Sequence, residues 1–177
     1  MYIHIILKIG EIMHKRIKDV KYAVITVSDS RYNDLIEGKE VDDKSGNLLK
    51  EELNAKIYTI IPDNKNMIKG IVEHIVESFD VDCIVFTGGT GIAKRDVTVE
   101  ALKEIIEKEL DGFKIIFQKL SYEEVGFSAM LSRAMAGIYK GKIIYALPGS
   151  VNACKTALKI IKEETGHILG HLREGIK

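Results

Sequence analysis

Three glycines, two threonines, two cations and an acid lie within ten consecutive positions of the chain. The segment TGGTGIAKRD covers residues 87–96 and directly follows an apolar run at residues 83–86. Glycine permits backbone angles closed to other residues and lets the main chain approach a ligand closely, so successive N–H groups can form a concave anion site. Because Lys94 and Arg95 add positive charge, the segment predicts a site for phosphate or a similar oxyanion.

The standard phosphate-binding fingerprints do not fit this segment. In the P-loop pattern G-x-x-x-x-G-K-[ST], Ala93 or Lys94 stands where the second glycine is required. The dinucleotide pattern G-x-G-x-x-G, begun at Gly89, meets Lys94 at its third glycine. A glycine-rich turn that only joins a strand to a helix therefore remains an alternative explanation.

Two aspartates accompany the glycine segment. Asp63 follows a short predicted strand at residues 57–61, and Asp96 ends the segment itself. A carboxylate beside an anion site repels the ligand unless a cation lies between them. The pair therefore suggests Mg²⁺ bridging nucleotide phosphates during phosphoryl or nucleotidyl transfer. Taken singly, each aspartate also fits a helix N-cap or a turn.

Strands that alternate with amphipathic helices are expected to position these residues. The order favours an α/β fold with a mainly parallel sheet and helices on both faces, in which the fourth strand runs antiparallel or lies at an edge. The predicted strands are residues 21–27, 57–61, 83–87, 113–117 and 143–147. The predicted helices run through 48–53, from Asn64 to 79, from Thr98 through 106, from the capping box Ser121–Glu124 to Tyr139, and from Ser150 to near Gly166. A short helical turn is expected in the tail, and a polar loop is expected at 28–43.

Ligands of such sheets bind where the loops after the carboxyl ends of parallel strands gather. Four loops expected at this rim are rich in Gly, Ser, Thr and Asp. They are Ser28-Asp29-Ser30, Pro62-Asp63-Asn64, residues 87–96 and Pro148-Gly149-Ser150.

Composition narrows the classes of protein. The 177 residues are 46% hydrophobic and 29% charged, which is typical of one globular domain. The 26 basic and 26 acidic residues cancel, which argues against a general binder of nucleic acid or membrane surfaces. No segment reaches the length needed to cross a bilayer, so we expect a cytoplasmic protein. Cys83 and Cys154 fit small core residues, and residues 1–18 are expected to form an N-terminal extension before a single domain at 19–177.

Several motifs together resemble a known family. In order and spacing, the chain is similar to the molybdenum-cofactor biosynthesis family of the MogA/MoaB type, closest to its MoaB branch. The motifs are TVSDS (26–30), DKSG (43–46), PD (62–63), TGGTGIAKRDVT (87–98), LSRAMAG (131–137), LPGS (147–150) and GHILGHL (166–172).

The resemblance implies a three-layer α/β domain that assembles as homotrimers or homohexamers. It implies molybdopterin adenylyltransferase activity, in which ATP and the dithiolene pterin give adenylyl-molybdopterin and pyrophosphate with Mg²⁺. The essential acids of the family fall on Asp63 and Asp96, without identifying which one contacts the metal. The implied substrate contacts are Ser28, Asp29, Thr87, Gly88, Gly89, Thr90, Gly91, Arg95, Ser132, Pro148, Gly149 and Ser150.

Two positions depart from the family pattern. Val99 and Val151 stand where members commonly carry proline. Proline at a first helical position pre-sets the backbone and supplies no functional group, so we expect little functional loss.

A non-catalytic molybdopterin-binding carrier or assembly protein is the alternative function. It would keep the pterin loops and lack a nucleotide pocket. A nucleotide-hydrolysing domain, as in CinA-like relatives, would be expected to bring an additional domain. The sequence leaves open a molybdenum or a tungsten route, and a trimer or a hexamer.

Overall fold

The computed structural model describes residues 16–174, and this range folds into one sheet surrounded by helices. Its strands are β1 (Tyr22–Val27), β2 (Ile57–Ile61), β3 (Cys83–Thr87), β4 (Lys108–Glu109), β5 (Met135–Tyr139) and β6 (Lys142–Leu147). Its α-helices are α1 (Asp29–Ile36), α2 (Lys44–Glu52), α3 (Lys65–Ser78), α4 (Thr98–Lys103), α5 (Asp111–Val125) and α6 (Val151–Glu174), and a 3₁₀ helix covers Gly126–Leu131.

The sheet is mainly parallel, as predicted. Its strand order is β2-β1-β3-β6-β5-β4. The pairs β1–β2, β1–β3 and β3–β6 are parallel, whereas β5 pairs antiparallel with both β6 and β4. The registers Thr26↔Thr87 and Thr87↔Leu147 bring the carboxyl ends of β1, β3 and β6 to one edge.

Helices cover both faces of the sheet, so the domain has the expected three layers. On one face, a core containing Leu49, Phe117 and Ile161 joins α2, α5 and α6 to the sheet. On the other face, a core containing Ile68 and Leu102 joins α3 and α4 to it. The central strands are buried on both sides, which is why they read as continuous apolar runs.

Cys83 and Cys154 are buried free thiols, as predicted for small core residues. Among the helices of the described range, none combines the length and apolar character needed to span a bilayer.

The prediction of a strand at 113–117 is wrong, because these residues lie in α5. Phe113 and Phe117 are both buried on one face of the helix, with ring centroids 5.9 Å apart. Ile115 and Ile116 between them are exposed. Burial at positions four apart is the helical period rather than the alternation of a strand.

The predicted helical region from Ser121 to Tyr139 is also wrong. Ser121 lies inside α5, which ends at Val125 and is followed by its C-cap Gly126, with a positive φ of 61°. The chain then forms the 3₁₀ helix and the strand β5. A two-residue turn at Lys140 (φ 46°) and Gly141 (φ 71°) joins β5 to β6, the geometry typical of a tight β-hairpin.

Several helices also differ from the sequence prediction. The polar loop expected at 28–43 contains α1, whose N-cap Ser28 accepts a hydrogen bond from the Arg31 amide at 3.4 Å. The helix predicted from Thr98 through 106 ends at Lys103. The helix expected to end near Gly166 continues to Glu174, because this glycine serves close packing: a Cβ there would lie 2.2 Å from the Ile17 carbonyl oxygen.

The predicted N-terminal extension, residues 1–18, lies mostly outside the described residues. Residues 16–18 are described, and the Ile17 amide donates a hydrogen bond to Gly166 O at 2.9 Å.

A buried carboxylate ties the start of α2 to the sheet. Asp43 is 1% exposed and caps α2 by accepting from the Gly46 amide at 3.0 Å. It also accepts hydrogen bonds from Thr26 Oγ1 at 2.5 Å and Tyr58 Oη at 2.6 Å. A methyl group at Gly46 would lie 2.1 Å from the carboxylate, so glycine is required there. This network joins β1, β2 and α2 directly below the rim.

We expect Asp43→Ala to lower the free energy of unfolding by about 3 kcal/mol, because the buried Gly46 amide, the buried Thr26 hydroxyl and the half-buried Tyr58 hydroxyl would lose their acceptor. Denaturant unfolding followed by circular dichroism measures the change. Asp42→Ala is the matched control, since its side chain is 75% exposed and should cost at most about 0.5 kcal/mol. Equal midpoints for the two variants would contradict this role.

Candidate functional site

Four loops meet at the carboxyl edge of the parallel strands, as the sequence predicts. In spatial order they follow β2, β1, β3 and β6. The Ser28 amide donates to Ile61 O at 2.9 Å, and the Gly88 amide donates to Leu147 O at 3.0 Å, so neighbouring loops are joined through the backbone. β1 lies between β2 and β3, where the strand order reverses, and such a switch point is where open α/β sheets bind ligands.

The first two glycines of the loop after β3 adopt backbone angles that other residues avoid. Gly88 has φ 99° and Gly89 has φ 66°. A methyl group at Gly88 would lie 2.3 Å from the Val27 carbonyl oxygen. At Gly89 it would lie 2.3 Å from Thr98 Oγ1 and 3.0 Å from Asp63 Oδ1. The glycines therefore allow the loop to pass directly against its neighbours and leave its backbone open to a ligand.

Both predicted acids lie against this loop. Asp96 Oδ2 accepts a hydrogen bond from the Ala93 amide at 2.8 Å, and a methyl group at Gly91 would lie 2.7 Å from it. Asp63 and Asp29 are linked reciprocally: Asp63 Oδ2 accepts from the Asp29 amide at 3.1 Å, and Asp29 Oδ1 accepts from the Asp63 amide at 2.9 Å. Two carboxylates thus lie against one glycine loop.

The electrostatics of Asp63 are unfavourable without a ligand. Burial raises the pKa of its carboxyl group, and the negative charges of Asp29 and Asp96 raise it further. The hydrogen bond from the Asp29 amide and the charge of Arg95 oppose this shift of the pKa. An ionised Asp63 therefore gains from any cation that enters the site.

A first pocket of about 480 Å³ opens between the glycine loop and α5. Ser150 caps α6 by accepting from the Ala153 amide at 3.2 Å, so the N-terminus of this 24-residue helix borders the pocket and favours an anion. The lining residues are Gly88, Gly89, Thr90, Gly91, Asp96, Phe117, Ser121, Glu124, Val125, Ser128, Ala129, Leu131, Ser132, Pro148, Gly149, Ser150, Asn152 and Ala153.

A second pocket of about 430 Å³ lies on the other side of the loop, and it is more polar. It shares Gly89 and Asp96 with the first pocket. Its lining residues are Val27, Ser28, Asp29, Ser30, Arg31, Asn33, Asp63, Gly89, Arg95 and Asp96. Two ligands held in these pockets would meet at the shared glycine and carboxylate.

Arg133 is a residue at this site that the sequence analysis missed. Its guanidinium donates to the carbonyl oxygens of Gly91 at 2.8 Å and Asp96 at 3.2 Å, and it forms an ion pair with Glu100. Its own amide donates to Thr90 O at 3.3 Å. The side chain therefore fixes both ends of the loop that carries Asp96. The signal in the sequence was a lone arginine within the apolar LSRAMAG segment.

The structure brings together nearly all the residues that the sequence singled out. Thr87 and Lys94 are the exceptions, since neither of them lines either pocket. Thr87 is fully buried below the loop, where its hydroxyl donates to Pro148 O at 3.1 Å, and Lys94 is exposed. Ser132 borders the first pocket, and its carbonyl oxygen accepts from Gln118 Nε2 at 2.8 Å. Glu124, Arg31 and Asn152 also line the pockets and were not predicted.

The chain matches the family model described as a probable molybdopterin binding domain over residues 23–167. It is 94% identical over 163 residues to the probable molybdopterin adenylyltransferase of Methanocaldococcus jannaschii, covering 92% of this chain and 100% of that protein. It is 46% identical over 166 residues to the molybdopterin adenylyltransferase of Pyrococcus furiosus, covering 89% of this chain and 94% of that protein.

Solved structures have the same fold. The crystal structure of the tungsten cofactor synthesizing protein MoaB from Pyrococcus furiosus superposes with a TM-score of 0.79 at 44% identity, covering 89% of this chain and 99% of the other.

We expect Asp63→Asn to stabilise the ligand-free protein at pH 7.5. A raised carboxyl pKa means that the folded state binds more protons than the unfolded state, so stability falls as the pH rises through the interval between the two pKa values. Asparagine removes this cost and can still accept the hydrogen bond from the Asp29 amide. Denaturant unfolding at several pH values should show a gain that shrinks toward pH 4. A variant less stable than the wild type at pH 7.5 would contradict the effect.

Proposed function

The chain belongs to the family of molybdopterin-binding domains in molybdenum cofactor biosynthesis, and we propose that it is a molybdopterin adenylyltransferase. The observation that carries the proposal is the pair of pockets that meet at Gly89 and Asp96. Transfer of a nucleotidyl group needs two substrates whose reacting atoms lie in contact. The pockets offer such a place.

The first pocket takes molybdopterin. Its glycine amides and the N-terminus of α6 suit the terminal phosphate, since both present backbone N–H groups to an anion. Phe117, Val125, Ala129 and Leu131 supply apolar surface for the fused rings. Molybdopterin phosphate at Gly89 would then face the second pocket.

The second pocket takes the phosphates of ATP. Arg31 and Arg95 line it and supply positive charge to phosphate oxygens. Asp29, Asp63 and Asp96 line it as well, and their negative charge repels a polyphosphate that arrives without a cation. This combination of charges favours ATP bound together with a divalent cation.

The residues present fit Mg²⁺. Among residues 16–174, no cluster of three or more acidic, histidine or cysteine side chains could hold a metal ion by itself. Mg²⁺ is usually held through one or two carboxylates together with substrate phosphates, so Asp63 and Asp96 suffice when ATP supplies the remaining oxygens. When bound, Mg²⁺ would neutralise charge that develops on the phosphate oxygens.

In the reaction, an oxygen of the terminal phosphate of molybdopterin attacks the α-phosphorus of ATP. The new P–O bond forms as the bond from the α-phosphorus to the bridging oxygen breaks, and pyrophosphate leaves with that electron pair. The chain contributes positioning and charge. The amides of the glycine loop hold the attacking phosphate, Arg95 balances charge at the transferred group, and Arg133 keeps the loop in place.

The second pocket also bears on the alternative of a carrier. A non-catalytic molybdopterin carrier has no use for a polar second pocket that contains three acids and two arginines. The position of this pocket beside the glycine loop therefore favours the transferase.

We further propose a cytoplasmic homotrimer or homohexamer that serves a molybdenum or tungsten cofactor. Exposed apolar side chains support self-association, because surface patches of this kind are typical of protein interfaces. Examples near the first pocket are Phe127 (76% exposed) and Met130 (78% exposed). Sedimentation velocity measures the assembly directly.

The proposed activity is tested with purified protein, ATP, Mg²⁺ and molybdopterin. Adenylyl-molybdopterin and pyrophosphate should form in equal amounts, and omission of either substrate should abolish both. Binding of molybdopterin without any adenylylated product would favour the carrier.

We expect Asp96→Asn to lower product formation by at least about 100-fold, because the carboxylate at the junction of the pockets loses its charge. Molybdopterin binding and the unfolding midpoint should change little, since asparagine can still accept the hydrogen bond from the Ala93 amide. Asp80→Asn, which changes an exposed acid before the start of β3, at the opposite edge of the sheet from both pockets, serves as the control. Unaltered turnover in Asp96→Asn would exclude a catalytic role for this carboxylate.

A further inference from the structure

We propose that Glu124 recognises the pterin ring of molybdopterin by accepting hydrogen bonds from its amino-pyrimidinone edge. The proposal rests on the proposed function and assigns the part of the substrate that lies farthest from the reacting phosphate. The sequence pattern gives this residue only a place in a predicted capping box, and the names of the relatives assign it no role.

Glu124 is placed where the pterin ring has to end. Among the described residues that line the first pocket, Asp96 and Glu124 are the two acids. Asp96 belongs to the glycine loop, where the phosphate binds. Glu124 lies in the last turn of α5, on the wall opposite that loop.

The distance along α6 fits a ligand of this length. Glu124 contacts Thr156, which follows the helix cap Ser150 by six residues. At 1.5 Å per residue, this places the carboxylate about 9 Å along the helix from the cap. Three fused six-membered rings between the phosphate and the amino-pyrimidinone edge span a comparable length.

The carboxylate is held in position before any ligand arrives. Its Oε2 atom accepts from Thr156 Oγ1 at 2.6 Å, and its Oε1 atom lies 3.3 Å from Lys159 Nζ. These two hydrogen bonds, the one from Thr156 foremost, lower the pKa of Glu124. An ionised carboxylate only accepts hydrogen bonds, and each of its oxygens has further capacity to do so.

The chemistry of the two substrates then decides which pocket each one enters. The amino-pyrimidinone edge of a pterin carries two adjacent donors, the 2-amino group and the ring N3–H. One carboxylate can accept from both, in the manner of a bidentate pair. At its corresponding edge, adenine carries one donor next to one acceptor. A carboxylate there would gain only one hydrogen bond and would face the lone pair of the acceptor. Glu124 thus favours the pterin in the first pocket and leaves ATP to the second.

The competing explanation is that Glu124 only joins α5 to α6 through Thr156 and Lys159. Three variants separate the two roles. Glu124→Gln keeps the shape and introduces a donor where acceptors are needed. Lys159→Met removes the ion pair and keeps the carboxylate. Glu123→Gln changes the neighbouring exposed acid, which does not line the pocket.

Steady-state adenylylation is measured first. We expect Glu124→Gln to raise the KM for molybdopterin at least about 10-fold while kcat and the KM for ATP stay within about threefold, because a lost pair of charge-assisted hydrogen bonds acts on binding. Lys159→Met and Glu123→Gln should remain within about threefold of the wild type. An equal rise in Lys159→Met, or no rise in Glu124→Gln, would overturn the proposal.

Competition between pterin analogues gives a readout that a structural role would not change. Pterin should inhibit the wild type more strongly than its 2,4-dioxo analogue, which lacks the 2-amino donor, and Glu124→Gln should lose this preference. A preference that survives in Glu124→Gln would overturn the assignment even if the KM rises. If pterin competes with molybdopterin for binding to the wild type better than the 2,4-dioxo analogue does, yet no adenylylated product forms, the proposed function fails and the role of Glu124 stands.

Discussion

The close passage of the glycine loop beside two carboxylates is the constraint on which the rest of the site depends. Gly89 runs within 3 Å of Asp63 Oδ1, measured from the position that a Cβ would occupy, and this leaves no room for a side chain. The same amides that suit an anion therefore lie against groups that repel one. In the absence of a ligand, burial and the neighbouring carboxylates raise the pKa of Asp63. A phosphate group that binds together with a cation removes this unfavourable electrostatic interaction, because the cation pairs with the acids while the amides donate to the phosphate.

Carboxylates and anion-binding amides that lie so close together require a rigid scaffold, and two hydrogen-bond networks provide it. Below the rim, the buried Asp43 joins β1, β2 and α2. Beside the rim, Arg133 holds the carbonyl oxygens of Gly91 and Asp96. Neither side chain needs to touch a substrate. Preorganised donors and charges are effective because they do not have to reorganise during the reaction. The neutral overall charge of the chain is consistent with recognition that is local rather than spread over a surface.

The half of the fold built from parallel strands could be predicted from the sequence. β1, β2, β3 and β6 lie where apolar runs predicted them, and the four loops at their carboxyl ends form one rim. This succeeded because a strand buried on both faces has a continuous apolar pattern that few other elements share. The pockets were harder to predict. The clamp by Arg133 and the placement of Glu124 depend on contacts between residues more than 30 positions apart, and no local pattern encodes such contacts.

The segment whose secondary structure was predicted wrongly forms the wall of the first pocket that lies opposite the glycine loop. Residues 113–139 contain most of α5, the 3₁₀ helix and β5, where a strand and one long helical region were expected. Pocket-lining residues weaken the usual patterns, since Ser121 and Ser128 are polar at positions on the pocket wall, whereas Phe127 and Met130 are apolar and exposed. Local rules assume that apolar side chains face a core and polar ones face water. A wall that must accept a flat aromatic ring and, in the proposed assembly, contact a second subunit follows neither rule, so failure of the pattern there is itself a signal of function.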